Sequence, residues 1–558
     1  MKKIKRWKQK HQEQIYCIKY HGLWVYPISI ILIVLAIGTN AYALVPVWVQ
    51  ILILSLVAFI LQMFIWIRNH DLVRRGLPEE RITWLGALFR PLDQYEFQDN
   101  RDDYICPKID PRLLSAQPQN VIFGKQDNLY VCKPPSSEGS VLVVGPSGSG
   151  KSSAVVIPSI LASKINDQHL FITDIKGELS AITALRRDVI IDPENRYSFG
   201  IDPFFSLTSR SSVQDVSDCM NGIAVSLIPK RAEGSSESVW NNSARILLFS
   251  ALFYCWYDKN LRCLTDMLQW LLGSDIHAVI QEINDNSSDS SPAKLGISSF
   301  PGMSDATLFS VFMNLQQKVF PLIQDTNLRW MFGPDSKKYS PTMLWDRDVY
   351  LCIPADKLST YSSVMLLCYN QLIQYGLSLR EAREDPNRKW IGIYIDETVA
   401  LLQGAGQIAM LSQGLRLLRS KRMYIMMVVQ SIQGLRSAYS QPEMDDILTN
   451  LSYKLILGCD DPTDGKLIAE LAGKYKAKEN GWSGNGHTRS QSVSLRDKPI
   501  VELEDLMRLE QNGEAILLSH LSGYCRFKKA YYFQDTKAKY ICNRIAKNSG
   551  KVSPFSAI

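Results

Sequence analysis

The sequence predicts an α/β protein: a mostly parallel sheet with helices on both faces, an all-helical insertion, and two apolar helices ahead of the sheet that are long enough to cross a membrane. Three observations carry this expectation. Short apolar runs alternate with helical stretches on either side of the loop Gly145-Pro146-Ser147-Gly148-Ser149-Gly150-Lys151-Ser152, the alternation of a doubly covered parallel sheet. Between about 205 and 340 the pattern changes to helix periods. From Gly22 to Ile67 no side chain is charged.

The loop comes first because the chain is organised around it. Val141–Val144 reads as a buried strand that stops at Gly145. Gly148 and Gly150 lack a Cβ, so the backbone can curl round a phosphate and aim its N–H groups inward. The run from Ser153 onward starts a helix, whose N-terminal dipole also favours an anion. In this pattern Gly145 to Ser153 cradle a nucleotide, Lys151 reaches the β- and γ-phosphates, and the Ser152 hydroxyl sits on Mg²⁺. A glycine-rich turn between strand and helix is the plainer alternative; eight fitted positions directly after an apolar strand outweigh it.

An ATPase also needs a carboxylate for its metal and a group that orients the attacking water. The apolar run Trp390–Ile395 ends in Asp396-Glu397, which supplies both. Asp396 is expected to hold Mg²⁺, and Glu397 to act as general base. Met423–Val429 leads into Gln430, a strand-end amide placed to sense the γ-phosphate. Arg416, Arg419, Lys421 and Arg422 form a basic run between these strands. Such runs are mostly solvated helix faces; one arginine could instead reach a neighbouring subunit's ATP, and spacing alone does not choose among them.

At 558 residues the chain is too long for one compact core. Its net charge of +7 says little about nucleic acid, because Lys2, Lys3, Lys5, Arg6, Lys8 and Lys10 supply much of it. Eleven cysteines, scattered from Cys17 to Cys542, form no CxxC pair, which argues against zinc and disulfide scaffolds and for reduced thiols. The uncharged stretch fits two spans of about 20 residues, at 23–44 and 47–67, with Pro46 in the turn. Basic residues precede the first span, and Arg68, Arg74 and Arg75 follow the second. By the positive-inside rule both termini face the cytoplasm.

The expected organisation is then a membrane anchor over 1–70 and a proline-broken connector over 71–135 that ends in a short β segment, Asn120–Cys132. A nucleotide-binding domain follows over 136–205 and 341–545, split by an all-α domain over 206–340, with a tail over 546–558. Within it His169–Thr173, Val189–Asp192, Val349–Ile353, Ile425–Val429 and Leu455–Leu457 read as further strands, and Glu479–Ser492 as a polar loop.

These residues together resemble the type IV secretion coupling proteins, the TraG/TraD-type conjugal transfer ATPases. GPSGSGKS at 145–152, FITDIKGE at 171–178, IDPF at 201–204, VWNNSAR at 239–245, YIDE at 394–397, RSKR at 419–422, VVQS at 428–431 and the block at 445–464 follow that family's order. The resemblance implies a RecA-like motor with an all-α domain, working as a homo-hexamer at the bacterial inner membrane. It also implies ATP and Mg²⁺ as cofactors, Lys151, Glu397 and Gln430 as catalytic residues, and Arg419 as the arginine acting in trans, with Arg416 and Arg422 close by. Implied partners are single-stranded DNA with a bound relaxase, or effector proteins, and the components of the secretion channel. Two departures stand out. Thr398-Val399 replaces the family's usual Phe-Ala, and no counterpart of the large C-terminal extension is present, so recognition is expected from the all-α domain, the basic tail or a partner. Two other readings remain: a chromosome-partitioning translocase of the FtsK type, and a docking platform that uses ATP only to assemble.

Overall fold

The computed structural model describes residues 109–549 except 135–138, 167, 209, 230–236 and 484–489, together with six positions between 48 and 59. The chain divides into two compact units, residues 1–100 with 476–496 and residues 101–475 with 497–558. In chain order the strands begin with β1 (Leu114–Ser115), β2 (Ile122–Gln126), β3 (Leu129–Cys132), β4 (Val141–Val144), β5 (His169–Asp174), β6 (Val189–Ile191), β7 (Gly200–Ile201) and β8 (Lys338–Tyr339). They continue with β9 (Val349–Cys352), β10 (Ile391–Ile395), β11 (Met423–Val429), β12 (Tyr453–Ile456), β13 (Lys474–Ser483), β14 (Ser490–Pro499), β15 (Glu514–Ser519) and β16 (Gly523–Lys528).

Among the described residues, twelve strands form one sheet in the order β1-β3-β2-β16-β15-β12-β4-β11-β10-β5-β9-β6. From β12 to β6 every neighbouring pair is parallel. These strands are covered on both faces, which is why they read as unbroken apolar runs: every residue of β4, β10 and β11 is buried. The wing from β15 outward is antiparallel. It absorbs the β segment read from sequence as the end of a connector, because Lys125 of β2 pairs with Lys528 of β16. A partner that distant in sequence leaves no local signal.

β7 and β8 pair in parallel as a separate two-stranded ladder. Between them run the helices Val213–Leu227, Glu237–Tyr257, Leu264–Gly273, Ile276–Asn286, Pro292–Ile297, Asp305–Gln324 and Thr326–Phe332. Their buried side chains, Leu247, Leu268 and Leu315 among them, join one continuous core with Phe171, Val189 and Leu351 of the sheet. Capping fixes several of these starts. Ser212 and Asp215 form a reciprocal capping box, and Asp275 and Asp325 accept from the first N–H groups of their helices.

A buried ion triad sits where β5, β6 and β9 begin. Lys164 Nζ lies 2.6 Å from Asp188 Oδ2 and 2.5 Å from Asp348 Oδ2, with all three side chains at most 8% exposed. Asp348 also accepts from the Leu170 N–H at 2.9 Å. Burial alone would lower the Lys164 ammonium's pKa; Tyr350, Asp348 and Asp188 beside it outweigh that and raise it.

Two expectations need correction. Read as a polar loop, Glu479–Ser492 instead begins within β13 and ends within β14, which pair as a ribbon, while 484–489 lie outside the described residues; the apolar residues of these strands are scattered singly among polar ones and give no apolar run to read. The two membrane spans, and with them an inner-membrane location with both termini cytoplasmic, are not upheld: among the described residues no helix is long and apolar enough to cross a membrane. The segments 23–44 and 47–67 lie outside the described residues but for helical positions 48, 49, 52, 55, 56 and 59. An uncharged run reports hydropathy alone, whereas a span also requires a continuous apolar helix.

Replacing Lys164 by Met would leave two buried carboxylates without a cation. The expected loss is about 3–5 kcal/mol, read as a lower denaturation midpoint. A loss below about 1 kcal/mol would show that the triad does not pin the amino ends of these strands.

Candidate nucleotide-binding site

Sheet register decides which residues meet. Val144 at the end of β4 pairs with Val429 at the end of β11, and Ile395 at the end of β10 pairs with Met427. Gly145, Gln430 and Asp396 therefore leave the sheet at one edge, the carboxyl edge where open α/β sheets bind ligands. The Gly145 N–H donates to the Val429 carbonyl at 3.2 Å, and the Leu457 N–H to the Val144 carbonyl at 2.8 Å.

Gly148 and Gly150 have φ of 85° and 93°, a region open mainly to glycine. From Gly150 the chain enters a helix whose first turn, Lys151–Val156, is wound as a π-helix and continues as Ile157–Ile165. Lys151 folds back into the loop, its Nζ donating to the carbonyls of Gly145 and Pro146 at 2.8 Å each. Burial lowers its pKa, opposed by the charges of Glu397 and Asp396. Ser149 is fully buried and its Oγ has no hydrogen-bond partner; a Cβ on Gly145 would stand 2.4 Å from it. A partly desolvated cation, an orphaned hydroxyl and a backbone that tolerates no further Cβ fit a polyphosphate.

The carboxylates stand next to this loop. Asp396 is 6% exposed, and burial together with the Glu397 charge raises its carboxyl to about 6. Glu397 has φ of 49°, a left-handed conformation uncommon for a residue with a side chain. Its Oε1 accepts from Lys176 Nζ at 3.2 Å and its Oε2 from Gln430 Nε2 at 3.0 Å. The structure joins Glu397 and Gln430 and adds Lys176. For Lys176, burial lowers the pKa but is outweighed by the hydrogen bond and charge of Glu397. Its only sequence signal was its place in FITDIKGE, directly after β5. The Thr398-Val399 departure is accommodated locally. Thr398 Oγ1 donates to the Ile395 carbonyl at 2.9 Å, and a Cβ on Gly434 would meet Val399 at 2.7 Å, so glycine there makes room for the β-branched side chain.

Sequence reading missed a second lysine. Lys529, just after β16, is 6% exposed, and its Nζ donates to the Ser149 carbonyl at 2.8 Å from behind the loop. Burial lowers its pKa to about 8. Glu510 approaches from the same side, one carboxylate oxygen 3.6 Å from where a Gly148 Cβ would stand. Both arrive from the antiparallel wing, so nothing local to 145–152 reveals them.

Arg419 is not brought to this site. It lies in the turn Leu418–Lys421 before β11, at the opposite edge of the sheet, and is exposed. Nearby, Arg416 pairs with Asp446 and Lys421 with Glu381, each at 2.7 Å. Arg422 donates to the carbonyls of Pro386 at 2.7 Å and Arg388 at 2.5 Å.

With this geometry in hand, comparison with known proteins is informative. The family model for the type IV secretory system conjugative DNA transfer proteins matches residues 107–292 and 340–554. Protein VirD4 of Agrobacterium fabrum (strain C58 / ATCC 33970) is 21% identical over 419 residues, and VirD4 of Rhizobium rhizogenes 20% over 417; each alignment covers 71% of this chain. The chain spans only 58% of the length of these relatives. Among solved structures, the plasmid coupling protein TrwB in complex with ADP and Mg²⁺ superposes with a TM-score of 0.58 at 15% identity, covering 74% of this chain and 89% of that one. The unbound TrwB lacking its first 70 residues gives 0.56 at 16%, over 72% and 88%. At these identities the structural likeness is one of fold, an α/β architecture with a large parallel sheet. The family match extends over well more than half of the sequence, and the chain belongs to the type IV secretory system conjugative DNA transfer family.

Proposed function

We propose that this chain is an ATP-hydrolysing coupling protein that drives a conjugative substrate, relaxase-bound single-stranded DNA or protein effectors, toward a type IV secretion channel. The single observation that carries the reading is the meeting of the phosphate loop, Asp396, Glu397 and Gln430 at one sheet edge. Relatives support the choice of ligand: TrwB structures contain an ATP analogue in one case and ADP with Mg²⁺ in another.

In this reading the N–H groups of 145–153 bind the polyphosphate, and Lys151 exchanges the carbonyls of Gly145 and Pro146 for phosphate oxygens. Ser152 and Asp396 would hold Mg²⁺, which would neutralise charge on the phosphates. Glu397 takes the proton of the attacking water. Gln430 and Lys176 fix the Glu397 carboxylate from two sides, and loss of either contact on γ-phosphate binding would release it as a stronger base. Arg419, exposed at the far edge, would act on a neighbouring subunit within a homo-hexameric ring, stabilising charge on that subunit's γ-phosphate. DNA handling would follow from sequence-independent, salt-sensitive phosphate contacts.

Lys151→Ala is expected to abolish nucleotide binding, measured by calorimetry; retained Mg-ATP affinity would remove the loop from the mechanism. Glu397→Gln should keep that affinity and lose about 100-fold or more of turnover. Unchanged turnover would exclude Glu397 as the base. Arg419→Ala should bind ATP normally yet lose assembly-dependent hydrolysis. Mixing it with Lys151→Ala subunits should restore part of the activity, and an absence of complementation would count against action in trans. DNA should accelerate hydrolysis; a turnover indifferent to DNA would favour the docking platform.

A further inference from the structure

The phosphate loop fixes one end of a bound nucleotide, and its direction fixes where the other end lies. With the terminal phosphates at Lys151, the α-phosphate falls at the start of the helix, by Ser152 and Ser153. The base must leave on that side. The segment already there is Tyr531-Tyr532-Phe533, the turn that follows Lys529. The Tyr532 N–H donates to the Ser153 carbonyl at 3.0 Å. The Tyr531 ring stands 3.1 Å from where a Gly150 Cβ would be, so the ring lies against the loop itself. A hydrogen bond from the Gln534 N–H to the Tyr531 carbonyl at 3.1 Å closes the turn.

This turn holds an aromatic cluster whose outermost member is unused by the core. Phe533 is 41% exposed, although its ring centroid lies 5.2 Å from that of Tyr531 and 5.6 Å from that of Tyr532. Both tyrosines pack against the buried apolar cluster that includes Val143, Val155 and Ile157, of which Phe533 is not part. A half-exposed aromatic side chain held by two others, next to Tyr532, whose backbone is tied to Ser153 at the α-phosphate end of the loop, offers a face to a planar ring.

We propose that Phe533, supported by Tyr531 and Tyr532, is the platform on which the nucleotide's base stacks. The inference rests on the nucleotide reading given above and adds to it the base subsite. Stacking on an aromatic face is tolerant of base identity and favours the larger purines. The site therefore takes ATP and GTP in preference to pyrimidine nucleotides.

The test compares the full chain with its Phe533→Ala and Phe533→Trp variants, measuring affinity for Mg-ATP, Mg-CTP and Mg-tripolyphosphate, which lacks base and sugar. Phe533→Ala should weaken ATP about 10-fold, within the range of one aromatic–base stack, and narrow the ATP/CTP difference. Tripolyphosphate affinity should stay unchanged, and Phe533→Trp should restore ATP. An unchanged ATP affinity in Phe533→Ala overturns the proposal. So does a parallel loss of ATP and tripolyphosphate, which would mean a damaged loop rather than a lost stack. Wild-type protein that binds tripolyphosphate but shows no gain from the base overturns the platform alone, and wild-type protein that binds neither overturns the nucleotide reading with it.

Discussion

Three neighbouring parallel strands, β4, β11 and β10, stop at the same edge, and the chemistry of the chain depends on that alignment. Their register is fixed by ladders of buried, apolar residues. A slip of one residue would turn side chains to the wrong face and cost burial along the whole strand. The sheet thus behaves as a rigid jig. It sets the phosphate loop beside the Asp396 and Glu397 carboxylates and the Gln430 amide, although these come from positions as far apart in sequence as 145 and 430.

Charge balance at this edge is the second theme. Two carboxylates and two lysines face one another in a site that is partly closed to water. Asp396 bears the cost of burial and of the neighbouring Glu397 charge, and its carboxyl rises to about 6. Lys151 is satisfied by loop carbonyls and Lys176 by Glu397. Behind the loop, Lys529 holds the Ser149 carbonyl, so the cradle is braced from the antiparallel wing as well as from its own strand. An incoming polyphosphate with its metal would replace contacts already made, with little rearrangement of backbone, which is what preorganised charge stabilisation requires.

Much of this was legible in the sequence, and the reasons differ from element to element. Strands covered on both faces announce themselves as apolar runs, so β4, β5, β10 and β11 were readable, as was the helical stretch between 205 and 340. The phosphate loop and the Asp396-Glu397 pair carry local signatures. The antiparallel wing does not: β15, β16 and the role of β2 depend on pairing between distant segments. Lys529 and the Tyr531–Phe533 turn belong to that wing and were invisible for the same reason. Uncharged composition between Gly22 and Ile67 suggested membrane spans, but hydropathy without a described helix of matching length and apolarity does not establish one.

The account stands on Asp396 and the phosphate loop sharing one metal-bound nucleotide. The most direct measurement is the affinity of a non-hydrolysable ATP analogue with and without Mg²⁺, for wild type and for Asp396→Asn. The account predicts that Mg²⁺ tightens binding in wild type and that Asp396→Asn loses this gain while keeping its metal-free affinity. A metal-dependent gain of equal size in Asp396→Asn would contradict it.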